Sequence, residues 1–329
     1  MSMARSAHVE QGTTSSVPAV RSAARDAVGG AKRCAINHAV VTGASSGIGR
    51  ATALALSERG WHVFATVRRS REGDALEGAA SGHLTPLLMD VTRLDQVARA
   101  AEAVRAHLGD RGLDALVNNA GVGLVWPLEL VPLDAFRAQL AINVEGPIAV
   151  TQAFLPMLRQ ATGRLIMIGS IGDRITIPFG GPLAASKRAL LALTEAFRLE
   201  LAPWDIRVVL IEPGSIRTSA IDKLERDARS ALERFGMAGQ ALYADAFQSM
   251  TAQALAREAH GSPPQVVAAA VVRAIETPRP RARYLVGKDA SALAMLALLL
   301  GRPRCAASPL VRLAAARLES APDPIMTHS

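Results

Sequence analysis

From His38 onward, short runs rich in Val, Ile and Leu alternate with longer stretches rich in Ala, Leu and Arg. His38–Thr42, Trp61–Val67, Leu84–Met89, Leu113–Val117, Arg164–Ile168 and Ile206–Ile211 have the length and composition of buried strands. Between them, Arg50–Arg59, Leu94–Leu108, Leu133–Leu158 and Ser186–Leu201 have helical length. Strands that alternate with helices are joined by right-handed crossovers, so they line up in parallel and need cover on both faces. The alternation therefore predicts a doubly wound α/β fold. A later helix, Pro264–Glu276, and the run Arg283–Val286 extend the pattern by one edge strand.

Composition agrees with one sizeable core and excludes several other classes. The chain has 329 residues, of which 50% are hydrophobic and 20% charged, so neither disorder nor a coiled coil describes it. The apolar run Ala292–Leu300 is far shorter than the roughly 20 residues that cross a bilayer. Two cysteines, Cys34 and Cys305, stand far apart with no metal-ligand spacing, and a reducing, cytoplasmic setting is the expectation. The net charge of +8 comes from the ends: 1–36 carries five basic and two acidic residues, and 278–329 carries eight and three. With the middle balanced and no basic stripe interleaved with aromatics, nucleic acid is not an expected partner. Residues 1–36 lack apolar periodicity and read as a flexible tail.

The first strand runs directly into Thr42-Gly43-Ala44-Ser45-Ser46-Gly47-Ile48-Gly49 and then a helix. Glycines here let the backbone turn tightly and approach a pyrophosphate, whose charge a helix N-terminus attracts. With Gly43, Gly47 and Gly49 in a Gly-x-x-x-Gly-x-Gly turn, the sequence resembles the short-chain dehydrogenase/reductase family over roughly residues 37–290. The resemblance implies a Rossmann-type sheet in a single domain with a helical substrate lid at about 219–262, followed by a C-terminal helical extension, 291–329. Further elements fall in family order: Asp90-Val91 after the third strand, Asn118-Asn119-Ala120-Gly121 after the fourth, Pro213-Gly214 after the sixth, then Thr218. It implies dinucleotide contacts at Gly43, Ser45, Ser46, Gly47, Ile48, Gly49, Asp90, Val91, Asn119, Ala120, Gly121, Lys187, Pro213, Gly214 and Thr218.

The choice of dinucleotide is read at the end of the second strand, Thr66-Val67-Arg68-Arg69, which has no acid for the ribose hydroxyls of NAD(H). A guanidinium such as that of Arg68 matches a 2′-phosphate in charge and in its forked donors, so NADP(H) is expected over NAD(H).

The resemblance also places Ser170 against the substrate oxygen, Lys187 beside the cofactor ribose, and Asn143 at a water that leads to that lysine. Pro147, four residues beyond Asn143, has no N–H, which frees the Asn143 carbonyl inside a long helix or simply kinks it. One member of the expected set is missing. The family has a proton-transferring tyrosine four residues before the lysine, and this chain has Leu183, in Pro182-Leu183-Ala184-Ala185-Ser186-Lys187. The two tyrosines, Tyr243 and Tyr284, lie in the lid interval and the last strand.

Two functional readings follow. One is an oxidoreductase acting on a hydrophobic ketone, aldehyde or alcohol with a non-standard proton donor. The other is a catalytically impaired dinucleotide-binding relative that serves as a sensor, partner or dimerisation module. Leu224, Leu232, Phe235, Met237, Leu242, Phe247 and Met250 make the lid interval apolar, in keeping with a hydrophobic substrate or with plain core packing. The pattern is similar to the steroid- and retinol-dehydrogenase-like branch, and a homodimer or homotetramer is expected. For Ala292–Leu300, capping of the domain or of a dimer contact is preferred over lying on a membrane surface.

Overall fold

The computed structural model describes residues 36–300. The expectations for the 1–36 tail, apart from Ile36, and for the extension beyond residue 300 lie outside them.

Seven strands form one parallel sheet: β1 (His38–Val41), β2 (His62–Val67), β3 (Leu84–Leu88), β4 (Ala115–Asn118), β5 (Arg164–Ile168), β6 (Arg207–Pro213) and β7 (Arg283–Val286). Their spatial order is β3-β2-β1-β4-β5-β6-β7, with every pairing parallel. Chain direction across the sheet reverses between β1 and β4, the place where a crevice opens at the carboxyl ends of such strands.

Side-chain alternation along the strands feeds two cores. Ala39 and Val41 of β1, Ala115 and Val117 of β4, and Val209 and Ile211 of β6 pack on one face, with Leu56 and Val271 from helices α1 (Gly47–Glu58) and α9 (Pro264–Glu276). Val40, Leu116, Leu165 and Met167 point to the other, against α3 (Leu94–Leu108), α5 (Gly146–Ala161) and α6 (Gly181–Leu201). Each fully buried Leu, Ile or Phe contributes about 1.5–3 kcal/mol.

The remaining helices are α2 (Ser70–Glu77), α4 (Leu133–Leu140), α7 (Ala220–Glu233), α8 (Gly236–Ala259) and α10 (Ala290–Leu300). The single helix expected at Leu133–Leu158 is not formed. It is α4 and α5 separated by a π-helical turn, Ala141–Glu145, because Pro147 cannot donate to the Asn143 carbonyl and the ladder takes up an extra residue before α5 begins. α6 starts five residues earlier than expected, so Leu183 and Lys187 share one helix. Helix α2 and the long α8 were not anticipated.

Helices α7 and α8 close around a third apolar cluster of Trp126, Ala228, Ala231, Phe235 and Phe247, joined by Leu130, Phe179 and Tyr243, with Trp126 and Phe179 supplied by the segments that follow β4 and β5. No helix among the described residues is long and apolar enough to cross a membrane.

Candidate active site

The carboxyl ends of β1, β2, β4, β5 and β6 surround a cleft of about 690 Å³. Gly43, Ser45, Ser46, Gly47 and Ile48 line it, with Arg68, Asp90, Val91, Asn119, Ala120, Gly121, Ser170, Lys187, Pro213, Gly214 and Thr218. Of the residues expected to serve the cofactor or the chemistry, Gly49 and Asn143 are absent from the walls and stand directly behind them; Leu183 is absent as well.

The floor is tightly built. Gly43 and Gly47 have φ of +64° and +54°, a region costly for other residues. A Cβ at Gly43 would lie 2.9 Å from the Ala120 Cα, and one at Gly49 would fall on the Gly43 carbonyl oxygen and the Asn119 side chain. Thr42 fastens this turn to β4: its hydroxyl accepts from the Asn119 and Ala120 N–H groups at 2.9 and 3.0 Å, while Asn119 Nδ2 donates to the Thr42 carbonyl at 2.8 Å. Thr218 leans over Gly47, whose Cβ position is 3.3 Å from the Thr218 side chain. The bare backbone and the α1 N-terminus thus face the cleft together, and these residues fit a dinucleotide pyrophosphate.

At the β2 end, Arg68 is exposed and lines the cleft, whereas Arg69 turns to Glu72 at 3.4 Å. Asp90 Oδ1 accepts from the Thr92 N–H and hydroxyl at 2.9 and 2.7 Å. Burial works to raise the Asp90 carboxyl, but those two bonds, with Arg68 and Arg93 nearby, hold it below the usual carboxylate range. Glu72, Lys223, Arg226 and Glu258 also line the cleft and were missed from sequence. Nothing local marks them; the last three are carried in by α7 and α8.

On the opposite side, Ser170 caps the turn Ile171–Asp173. Its Oγ accepts the Gly172 N–H at 3.0 Å, which leaves the hydroxyl proton available to the cleft. Lys187 Nζ donates to the Ile168 carbonyl at 3.1 Å, spending one of its three donors. Burial pushes the Lys187 ammonium down to about 8, against an opposing pull from Asp173.

Asn143 is buried, and its amide is committed: Oδ1 accepts the Val122 N–H and Nδ2 donates to the Val122 carbonyl, both at 2.8 Å, with a further bond to Ser186 Oγ at 3.0 Å. It clamps the strand-end segment that carries Gly121 to α6, immediately before Lys187. Leu183 lies one turn before Lys187 on α6, its Cδ2 3.9 Å from the Cβ position of Gly123. Neither tyrosine takes its place. The Tyr243 hydroxyl, in the lid, donates to Glu129 from the segment before α4, and Tyr284 Oη accepts from the Arg281 N–H at 3.1 Å.

Behind Ser170 and Lys187 lies a fully buried pair of carboxylates. Glu212 receives Arg174 at 2.8 Å and Arg283 at 2.6 Å. Burial opposes its ionisation, but these two guanidinium groups outweigh that and hold it low. Asp173 is left at 3.5 Å from Arg283 and 3.8 Å from Arg174, without a hydrogen bond to either oxygen. Burial, reinforced by Glu212, raises it well above the usual carboxylate range. Sequence reading did not find Asp173.

The lid's apolar residues divide. Phe235 and Phe247 are buried in the lid's own cluster, which is packing, and Met237 is 93% exposed.

Sheet order, glycine turn and cleft define a dinucleotide-dependent oxidoreductase of the α/β class, and comparison with known proteins makes the class specific. The short chain dehydrogenase family matches residues 37–229. Retinol dehydrogenase 5 of Mus musculus is 35% identical over 259 residues, 77% of this chain and 81% of that protein. The NADPH-dependent 3-dehydrocapnine reductase of Ornithobacterium rhinotracheale is 32% identical, over 76% and 88%. Among solved structures, a short-chain dehydrogenase from Streptomyces avermitilis superposes with a TM-score of 0.67 at 28% identity, covering 82% of this chain and 94% of that one. A metagenomic short-chain oxidoreductase in complex with NADP gives 0.59 at 28% identity, covering 76% and 96%. The chain belongs to the short-chain dehydrogenase/reductase family, in its retinol- and steroid-dehydrogenase-like branch, and is an NAD(P)-dependent oxidoreductase of alcohol and carbonyl groups.

Proposed function

We propose that the chain is an NADP(H)-dependent reductase or dehydrogenase of an apolar ketone, aldehyde or alcohol, in which Lys187 supplies the proton that the family takes from tyrosine. The observation that carries this reading is the pairing of Leu183 with a Lys187 ammonium pushed down to about 8 in the same cleft as Ser170. An acid whose pKa lies near the working pH is the most effective general acid. A lysine at its ordinary value would hold its proton too tightly.

When bound, the nicotinamide supplies or accepts hydride at the substrate carbon. The chain's own residues do the rest. The Ser170 hydroxyl donates a hydrogen bond to the carbonyl oxygen and orients it. Lys187 Nζ–H delivers the proton to that oxygen in reduction and takes it back in oxidation. Asp173, in its ionised form, favours the charged form of Lys187 and so moderates the effect of burial on it. Asn143 positions α6 and the Val122 segment.

Preference for NADP(H) rests on Arg68 at the cleft, with no acid at that strand end, and agrees with the NADPH and NADP named for two of the similar proteins. Glu72, on the same wall, opposes a 2′-phosphate in part, and Lys223 and Arg226 add positive charge from the lid side. An apolar substrate is favoured by Val122 and Ile142 in the cleft wall and by the likeness to retinol dehydrogenase 5.

The test is NADPH oxidation over a panel of apolar ketones and aldehydes, for the native chain and for Leu183→Tyr. Native turnover, raised about 10²-fold by the added phenol, is the expected result. A silent native chain beside an active Leu183→Tyr variant would favour the reading as a dinucleotide-binding partner or sensor.

A further inference from the structure

The end of the sheet opposite the cleft gathers four of the chain's seven histidines. His38 opens β1, His62 opens β2, and His83 immediately precedes β3. Parallel register sets His38 beside His62, and the Val63 N–H bonds to the His83 carbonyl at 3.0 Å, so the three stand on successive strands. His107, in the last turn of α3, comes down on the same spot. The His62 and His107 ring centres are 4.5 Å apart, and His38 lies 5.7 and 5.8 Å from the two. One ring nitrogen from each of His38, His62 and His107 falls within 4.8 Å of the others. Among the described residues, no other group of three His, Cys, Asp or Glu side chains comes together in this way.

We propose that His38, His62 and His107 form a binding site for a divalent transition-metal ion, with zinc the natural occupant and solvent at the fourth position. Tetrahedral zinc with Zn–N bonds near 2.0–2.1 Å needs nitrogens about 3.4 Å apart. Ring nitrogens already within 4.8 Å of one another need to close by no more than about 1.4 Å, which side-chain rotation is expected to supply. Imidazole as the sole donor type selects Zn²⁺, Ni²⁺ or Cu²⁺ over Mg²⁺ or Ca²⁺.

The surroundings suit ligation. His62 Nε2 meets Thr85 Oγ1 at 2.9 Å; the tautomer that donates there keeps the lone pair on Nδ1, the kind of supporting bond that fixes a ligating ring. Phe64 stacks on His62 at 4.7 Å and walls one side, while exposed His107 gives the ion a way in. Asp114 Oδ2 accepts the His38 backbone N–H at 2.8 Å and supplies a nearby negative charge. Arg111 is an opposing cation close enough to act on His38. Because β1, β2 and α3 all begin or end here, a bound ion would tie three elements together at the pole remote from the cofactor, and would act on stability rather than turnover.

The experiment uses the full-length chain without an affinity tag, stripped with chelator and titrated with ZnCl₂ in a calorimeter, with Co²⁺ absorbance as a second readout. One equivalent bound, a rise in Tm, and visible Co²⁺ bands of tetrahedral intensity are expected. His107→Ala removes an exposed side chain and leaves the core intact; it should weaken zinc at least about tenfold and abolish the Co²⁺ bands, with NADPH oxidation unchanged. His260→Ala, on an exposed helix end, should bind as the native chain does. No zinc heat at 100 µM metal, or equal affinity in His107→Ala, would overturn the proposal. The second result would place the ion on residues outside this cluster.

Discussion

The cofactor half and the catalytic half of the cleft are built to different standards of completeness. In the first, each part finds its counterpart: Gly43, Gly47 and Gly49 make room, Thr42 and Asn119 lock β1 to β4, and Thr218 covers the turn. In the second, Ser170 and Lys187 line the cleft with Asn143 behind them, while Leu183, one turn before Lys187 on α6, can neither give nor take a proton. The contrast teaches that dinucleotide binding and proton transfer are separable demands on this fold. One depends on backbone shape, the other on a single side chain's chemistry, which under the proposed function comes from the buried Lys187.

The sharpest way to break the first half is Gly49→Ala. Its methyl group meets backbone, which cannot step aside, so the variant should lose NADPH binding by fluorescence titration and lose about 1–3 kcal/mol of stability in urea unfolding. Unchanged binding would show that the turn is not the pyrophosphate site. Next in size is Arg68→Ala, which removes one charge-assisted contact worth about 1.5–3 kcal/mol, or roughly ten- to a hundredfold in NADPH affinity. NADH affinity should stay constant. Equal losses for both dinucleotides would assign Arg68 to general electrostatics and not to the 2′-phosphate.

The smallest expected effect probes how the two halves are tuned. Asp173 favours the charged form of Lys187, so Asp173→Asn should lower the lysine's pKa further. The fall of reductase activity on the alkaline side should then begin at lower pH, with KM for NADPH little changed. The same variant removes a buried carboxyl whose folded-state pKa is raised. In the native chain such a group binds more protons folded than unfolded, so its contribution to stability falls as pH climbs from the normal carboxylate range towards its raised value. Asp173→Asn should therefore raise Tm more at pH 8 than at pH 4.

The fold was largely legible because its signals are local. Strand-length apolar runs, the glycine turn and a balanced central charge are present in consecutive residues, and α3, β5, β7 and α9 fall where the pattern puts them. The π-turn at Ala141–Glu145 was not legible, since one extra residue in a ladder leaves no periodic mark; Pro147 showed only that something must give. Within the site, the strand-end residues were found because each follows its strand directly. Lys223, Arg226 and Glu258 reach the cleft through the packing of α7 and α8, which no local motif encodes. Asp173 was hidden for a similar reason, because only the neighbouring β6 and β7 make it a buried, unpartnered carboxyl. The apolar lid residues misled in part, since Phe235 and Phe247 serve the lid's own core.

The most direct test of the central claim is the pH dependence of kcat for NADPH-driven reduction of an apolar ketone by the native chain, from pH 6 to 10. If Lys187 is the acid, kcat is level below neutrality and falls through an apparent pKa of about 8, as the ammonium is lost. A kcat that stays level to pH 10, or a profile left unaltered in Lys187→Met, would contradict it and return the proton to solvent or to the substrate itself.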